Sequence, residues 1–410
     1  MKKTDVLSVA IGCSGVLLAA AALTAGPLDP PTGAIAPSYK TLTEVEPRIA
    51  INLTNTPGDA DSTFKITQPG SYYLTQNFVT KAGSFSGIEI AAPNVTIDLN
   101  GFTLSGNNAA MRPGIIASAV AENVSICNGS IVDYRNTGIE LTNSVNVSLE
   151  NLRVKNCLNG GYLVTGAYRI SRCIANNNSA YGFNVSGPGI IQDSVANQSS
   201  GTGFMLENQA SAISCTASGH QVKGFMAYSA SLVNCSASNS PIGIQGSGAT
   251  LVGCSATACT ETGINLQSSN ATSCTANQNG QNGFRLTGAN LNQCVANGNN
   301  SNGVIVGYDS TVRDSSFMYN GVLGSYAGIY VYGDGNRIEG NNSGYQDIGV
   351  YIVGTRNFVS RNTCRGNGNN WNVVATNACF VVNATTGGAI NGNAGGAPVG
   401  SNDPNANFSY

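Results

Sequence analysis

From residue 138 onward a four-residue phrase returns at a nearly constant interval: a Gly, an apolar residue, a variable residue and a second, usually apolar, residue. It reads GIEL at 138, GYLV at 161, GFNV at 182, GFML at 203, GFMA at 224, GIQG at 243, GINL at 263, GFRL at 283, GVIV at 303, GIYV at 328 and GVYI at 349, with spacings of 19 to 25 residues. Alternation within the phrase predicts a short strand whose second and fourth residues face one way and whose third faces the other. No stretch repeats an apolar residue every three or four positions over a helical length, and Gly and Asn recur too often for helices. A fixed period of about twenty residues means a solenoid, in which one unit buries its apolar side only by stacking on the next. The predicted fold is all-β: a right-handed parallel β-helix of about twelve coils, each roughly 20–21 residues long.

A second column supports the register. Cys173, Ser194, Cys215, Cys235, Cys254, Cys274, Cys294 and Ser315 recur with the same period, and Ala175, Ala196, Ala217, Ala237, Ala256, Ala276 and Ala296 follow the first seven of them by two residues. Small residues in register mark a tight inward corner between coils stacked about 4.8 Å apart. Asn176, Asn197, Asn277 and Asn297 suit the following turn and are expected to stack as an amide ladder. The chain has twelve cysteines. Stacked coils aim equivalent Cβ atoms the same way, so Cys173, Cys215, Cys235, Cys254, Cys274 and Cys294 are read as a buried thiol ladder and not as disulfides. A metal site is the sharper alternative, but a straight row of thiols supplies no tetrahedral cage. Cys364 and Cys379 are the pair most readily bridged, and the sequence leaves bridged and free forms open.

Composition narrows the partners. Charged residues make up 10% of the chain and the formal net charge is -2, so there is no basic footprint for a nucleic acid. Lys2, Lys3, the apolar stretch from Val6 to Leu23 and the small run Ala19 to Ala22 have the parts of a secretory signal. A retained membrane anchor and a lipoprotein-type cleavage before Cys13 are the alternatives. The expected organisation is a signal over 1–25, a linker and N-terminal cap over 26–85, the β-helix over 86–382 and a flexible tail over 383–410. The expected location is secreted, extracellular or on the cell surface, with the periplasm as an option, and with no membrane span once the signal is removed.

The phrase Gln68 to Leu74, Gln-Pro-Gly-Ser-Tyr-Tyr-Leu, followed by the run from Val95 to Phe102, resembles the opening of bacterial secreted right-handed β-helix repeat proteins of the pectin-lyase-like superfamily. The resemblance spans roughly residues 40 to 380. It implies the fold and says little of activity, because that superfamily includes polysaccharide lyases, sugar hydrolases, phage tailspikes and adhesins. Neither the paired-aspartate and Gly-His-Gly pattern of polygalacturonases nor an Arg-x-Pro-x-x-Arg of pectate lyases is present, and a sole histidine argues against a copper-delivery role.

Charges are sparse between Ser194 and Tyr308, where Glu207, Lys223, Glu261 and Arg285 stand alone beside His220, read as a solvated loop residue. Arg172 with Asp193, and Arg313 with Glu339, are read as opposite charges stacked between coils, worth ~0.2–1 kcal/mol. Asp133, Tyr134 and Arg135 are read as a small polar cluster in an early turn. The region 308–365 differs. It holds Asp309, Arg313, Asp314, Asp334, Arg337, Glu339, Asp347, Arg356, Arg361 and Arg365, and seven of the sixteen tyrosines. Tyr330 and Tyr351 occupy the variable place of the phrase and are expected to stack outward. The long interval before Gly328 implies a loop around Phe317 to Tyr326. Rings beside Arg and Asp can hold a sugar by stacking and bidentate hydrogen bonds, so Tyr330, Tyr332, Tyr351, Arg313 and Arg356 are the carbohydrate-binding candidates.

The leading expectation is a non-catalytic extracellular β-helix, a rigid surface or matrix component that contacts polysaccharide. The alternative is a carbohydrate-active enzyme, a polysaccharide lyase or glycoside hydrolase, with Asp309, Asp314, Asp334 and Arg337 as its machinery. No cofactor or metal is implied, with Ca²⁺ left as an option near the three aspartates.

Overall fold

In the computed structural model, residues 46–321, 324–383 and 404–410 are described. Among them every regular element is a strand, and Arg48–Tyr410 forms one compact unit. The expected signal over 1–25 and most of the tail lie outside the described residues. No helix among the described residues is long and apolar enough to cross a membrane.

Each regular coil supplies three short strands, as in Thr202–Glu207, Ser211–Ile213 and Thr216–Ser218. Each pairs in parallel with its counterpart one coil on, at Lys223–Tyr228, Ser231–Val233 and Ser236–Ser238. Three parallel faces result. The first carries the Gly phrase, the second follows it, and the third carries the Ala column. The protein is a right-handed parallel β-helix of about 16 turns. The count exceeds the expected twelve because coils begin well before residue 86. Ser62–Ile66 already pairs with Ser86–Ile90, and Gly70–Tyr73 pairs with Val95–Asp98.

The inward residues of the first face stack in register. Tyr162, Phe183, Phe204 and Phe225 lie ring on ring with centroids 4.5, 4.8 and 4.8 Å apart. The Gly that opens each phrase is required by close approach. A Cβ on Gly224 would lie 2.6 Å from the Gly243 carbonyl oxygen and 2.9 Å from Ala237 Cβ. The Gly and Ala columns therefore face each other across the interior, and neither tolerates growth unless the other yields. Phe317 takes the place of Ala in this column, paired with Ala296 and wholly buried, so the expected loop starts only after it.

Cys173, Cys215, Cys235, Cys254, Cys274 and Cys294 form the thiol column, all buried and unbridged. Each sits after a residue with positive φ, such as Arg172, Ser214 or Asn234, at the two-residue turn between the second and third faces. Burial pushes the Cys173 thiol up to about 11 and that of Cys157 up to about 12. Cys364 and Cys379 are also free.

The buried amide ladders differ from the one expected. Asn176 and Asn197 are strand residues at the half-exposed end of the third face, and the buried ladder runs two residues further on. Asn299 Oδ1 accepts from the backbone N–H and Nδ2 of Asn279 at 3.0 and 2.8 Å, and Asn320 repeats this toward Asn299 at 3.1 and 2.8 Å. In the last coils the thiol column gives way to Asn341, Asn362 and Asn407, and the corner between the first and second faces carries Asn336, Asn357 and Asn377.

His220 belongs to the same corner column as Asn279 and is buried, not solvated. Its Nδ1 accepts the Ser199 N–H at 3.1 Å and its Nε2 lies 3.0 Å from the Ala196 carbonyl. Those are the two bonds an Asn makes there: Asn178 Oδ1 accepts from Cys157 N, and Asn178 Nδ2 donates to the Val154 carbonyl. The imidazole is thus a neutral Nε2–H tautomer standing in for an amide.

Three further expectations change. Arg172 pairs with Glu150, not Asp193, because the left-handed φ of Arg172 and Asp193 places both in a turn and not on a strand face. Tyr134 is fully buried, its hydroxyl hydrogen-bonded to Thr80 Oγ1, and is no part of a surface cluster. At the far end the reading of 383–410 as a tail does not extend to its last residues. Asn407–Ser409 lies between Thr363–Arg365 and Val381–Asn383, parallel to both.

Candidate functional site

The coils from Val304 to Ile352 hold the aromatic side chains that the alternation placed outward. Tyr330 and Tyr351 are register partners on the first face, with ring centroids 5.3 Å apart and planes tilted by 32°. Tyr332, two residues on, lies 6.4 Å from Tyr330, and Tyr308 meets Tyr332 edge-on at 6.0 Å. A continuous band of four rings thus runs from the first face onto the corner leading to the second face. Tyr319 and Tyr345 stack at 5.0 Å on the opposite corner, where the Arg365 guanidinium covers Tyr345 at 5.3 Å.

Beside the band, Tyr308, Asp309, Asp334, Gly335 and Arg356 line a cavity of 380 Å³. Asp334 accepts from the Thr355 N–H at 2.7 Å and from Arg356 Nη2 at 3.2 Å. The Thr355 backbone bond first, and Arg356 next, hold its carboxyl below the usual carboxylate range. Tyr330, Tyr332, Tyr351 and Arg356 therefore come together, with Asp309 and Asp334 at their edge.

The other candidates go elsewhere. Arg313 and Arg337 lie on the second face. Arg313 and Glu339 are register partners, as the alignment of coils predicted. The ion pairs of Glu339 are nevertheless with Arg337, at 2.6 Å, and with Arg361. Asp314 sits at the next corner, where a Cβ on Gly340 would meet its Oδ1 at 2.5 Å. Asp309, Asp314 and Asp334 are not drawn together as ligands for Ca²⁺. The described residues do gather three carboxylates elsewhere, Asp59, Asp61 and Glu89.

That N-terminal group was not singled out from the sequence. Lys65 Nζ stands 2.7 Å from Asp59 and 2.8 Å from Glu89, and Arg112 Nη1 stands 2.6 Å from Asp61. Burial pushes the Glu89 carboxyl up, but hydrogen bonds from Lys65 and Ser118 outweigh it and hold the group below its ordinary value. The network is an ion-pair cluster with its cations already supplied by the chain. On the same face Glu140 is half-buried, and burial raises its carboxyl while Arg112 opposes the rise. A signal existed: Lys65, Glu89, Ile116 and Glu140 share one outward column. Their spacings of 24, 27 and 24 residues are longer than the usual 20–21, and all but Glu140 precede the first Gly phrase at 138, which hid the column.

No family model and no curated protein matches the sequence. Among solved structures, the A-module of the Azotobacter vinelandii mannuronan C-5 epimerase AlgE4 is similar at 16% identity, covering 75% of this chain and 89% of that one with a TM-score of 0.41. The periplasmic alginate epimerase AlgG is similar at 8% identity, with 79% and 80% covered and a TM-score of 0.30. The catalytic domain of a GH87 α-1,3-glucanase in complex with tetrasaccharides follows at 12% identity, with 75% and 71% covered and a TM-score of 0.31. These likenesses concern the fold. The chain's own strand pairing makes it a right-handed parallel β-helix.

Proposed function

We propose that the protein is a non-catalytic, exported β-helix, a rigid surface or matrix component that binds polysaccharide on its C-terminal coils. The observation that carries this reading is the band Tyr351, Tyr330, Tyr332 and Tyr308 on a rigid parallel face, edged by Asp334 and Arg356. Four rings held on three successive coils offer apolar faces to a sugar chain, while the paired Asp and Arg offer hydroxyl partners. The non-catalytic part is supported by the separation of Asp309 and Asp334 from Asp314 at two different corners, and by the pairing of Asp334 with Arg356.

A second reading, a carbohydrate-active enzyme, has one observation in its favour. Glu140 is a carboxyl raised by burial on the first face, with Arg112 acting on it, which is a setting that suits an acid or base. The test is a screen of the purified protein against neutral and acidic polysaccharides that follows both retention and product release. Retention without products, lost in Tyr330→Ala/Tyr351→Ala, is the expected result. Products that disappear in Glu140→Gln would establish the enzyme instead.

A further inference from the structure

We infer that the second face carries a separate subsite for the anionic groups of an acidic polysaccharide, built by Arg313 and Arg337. This rests on the polysaccharide reading above but uses a different face and different residues.

A groove of 530 Å³ runs over the strands Asn270–Thr272, Asn290–Asn292, Thr311–Arg313 and Arg337–Glu339. Inward residues of these strands, Ala271, Leu291, Val312 and Ile338, are buried and hold the face flat from beneath. The outward residues are therefore free of packing duty, and they are all amides, hydroxyls or guanidinium groups until Glu339. Asn290 Nδ2 donates to Asn270 Oδ1 at 2.8 Å, which fixes the floor as an amide row.

The two arginines close one end of the groove. Thr311 pairs with Arg337 and Arg313 pairs with Glu339 in the ladder, so Arg313 and Arg337 are diagonal neighbours on one surface. From strand spacing and rise their Cα atoms are about 8 Å apart. Arg313 is exposed and forms no ion pair among the described residues; its Nε donates to Asn292 Oδ1 at 3.2 Å, which orients the guanidinium without neutralising it. Arg337 lies over the Phe358 ring at 4.8 Å and gives only its Nε to Glu339. Both side chains are thus braced through Nε.

No carboxylate lines the groove. Glu339, the acid next to the groove, is shared by Arg337 and Arg361, and the Asp314 carboxylate lies over Gly340 at the next corner. The patch is therefore positive in a chain whose net charge is -2. Planar guanidinium forks bind carboxylate or sulfate bidentately. An amide and hydroxyl floor running along the coil axis suits the hydroxyls of a polymer and not an isolated ion. The ligand class is an acidic glycan, carrying either uronate or sulfate groups.

The experiment measures binding of an oligouronate, a sulfated oligosaccharide, a carboxyl-reduced neutral oligosaccharide and inorganic sulfate to the whole mature protein. The proteins compared are wild type, Arg313→Gln/Arg337→Gln and Tyr330→Ala/Tyr351→Ala, with melting curves to show that each is folded. The expected result is that one or both acidic glycans bind wild type and lose tenfold or more in the arginine double variant, with binding falling as salt rises. The neutral glycan should bind both proteins alike. Acidic glycan bound equally by wild type and the arginine variant would overturn the subsite while leaving the tyrosine band intact. Inorganic sulfate competing as strongly as the glycans would also overturn it, by showing a simple ion site. Failure of every glycan to bind wild type would remove the polysaccharide reading itself, and the subsite with it.

Discussion

The coils from Tyr181 to Asn297 and those from Val304 to Arg365 share one backbone and differ in what they display. In the first set the interior is continuous: stacked Phe183, Phe204 and Phe225, a thiol column and an Ala column. Their outward column on the first face is Asn184, Met205, Met226, Gln245, Asn265 and Arg285, which offers one charge and no aromatic ring. In the second set the outward column becomes Tyr330 and Tyr351, and buried Asn residues occupy all three corners. In a β-helix the inward residues specify the coil, so the outward ones change without cost to the fold. On the proposed reading, glycan binding concentrates where outward chemistry changes, while stability is read from the uniform coils.

The largest effect that would sharpen this contrast is in the uniform coils. Phe204→Ala removes the centre of the ring stack and should cost about 3–5 kcal/mol by chemical denaturation, with glycan binding by the folded fraction unchanged. Gly224→Val is expected to be comparably damaging, because even its first carbon meets the next coil. In the C-terminal coils the corresponding weak point is polar. Asn362→Leu leaves the Asn341 N–H and Nδ2 without their acceptor, at about 1–3 kcal/mol for each buried group. An unchanged denaturation midpoint there would show that the amide ladder is not what holds those coils.

His220 gives a smaller, pH-dependent effect. His220→Ala should cost about 1–3 kcal/mol, and His220→Asn should recover most of it by restoring both bonds. Burial pushes the imidazole below its ordinary value of 6.5. As pH falls through 6.5 the unfolded chain takes up the proton first, so this contribution is complete above that value and is lost as pH drops toward the folded value. Wild type should lose stability relative to His220→Asn as pH falls below 6.5, and parallel profiles would show that the imidazole is not held neutral.

The smallest expected effect on stability is the most informative for function. Tyr330→Ala/Tyr351→Ala should change stability by about 1 kcal/mol and reduce affinity for a bound glycan about tenfold. An equal loss of affinity from Met205→Ala/Met226→Ala would erase the distinction between the two regions.

The inward pattern was legible because it is local. Alternation inside each phrase and the fixed interval between phrases state which residues face in, and the Gly, Cys and Ala columns state that coils stack in register. The same logic put Tyr330 beside Tyr351 correctly. What only the tertiary structure decided was which outward and corner groups meet. Arg172 finds Glu150 and Arg361 finds Glu339 because turn residues with left-handed φ swing side chains off the strand grid, while Arg337 reaches Glu339 as its neighbour two residues along the same strand. His220 is buried because the residue after such a turn points inward, a fact carried by backbone angles and not by polarity. Asn407–Ser409 joins the third face from a stretch of sequence with no periodic signal. Periodicity fixes what each residue does within its own coil, whereas partners supplied by other coils depend on turn geometry, which the pattern does not encode.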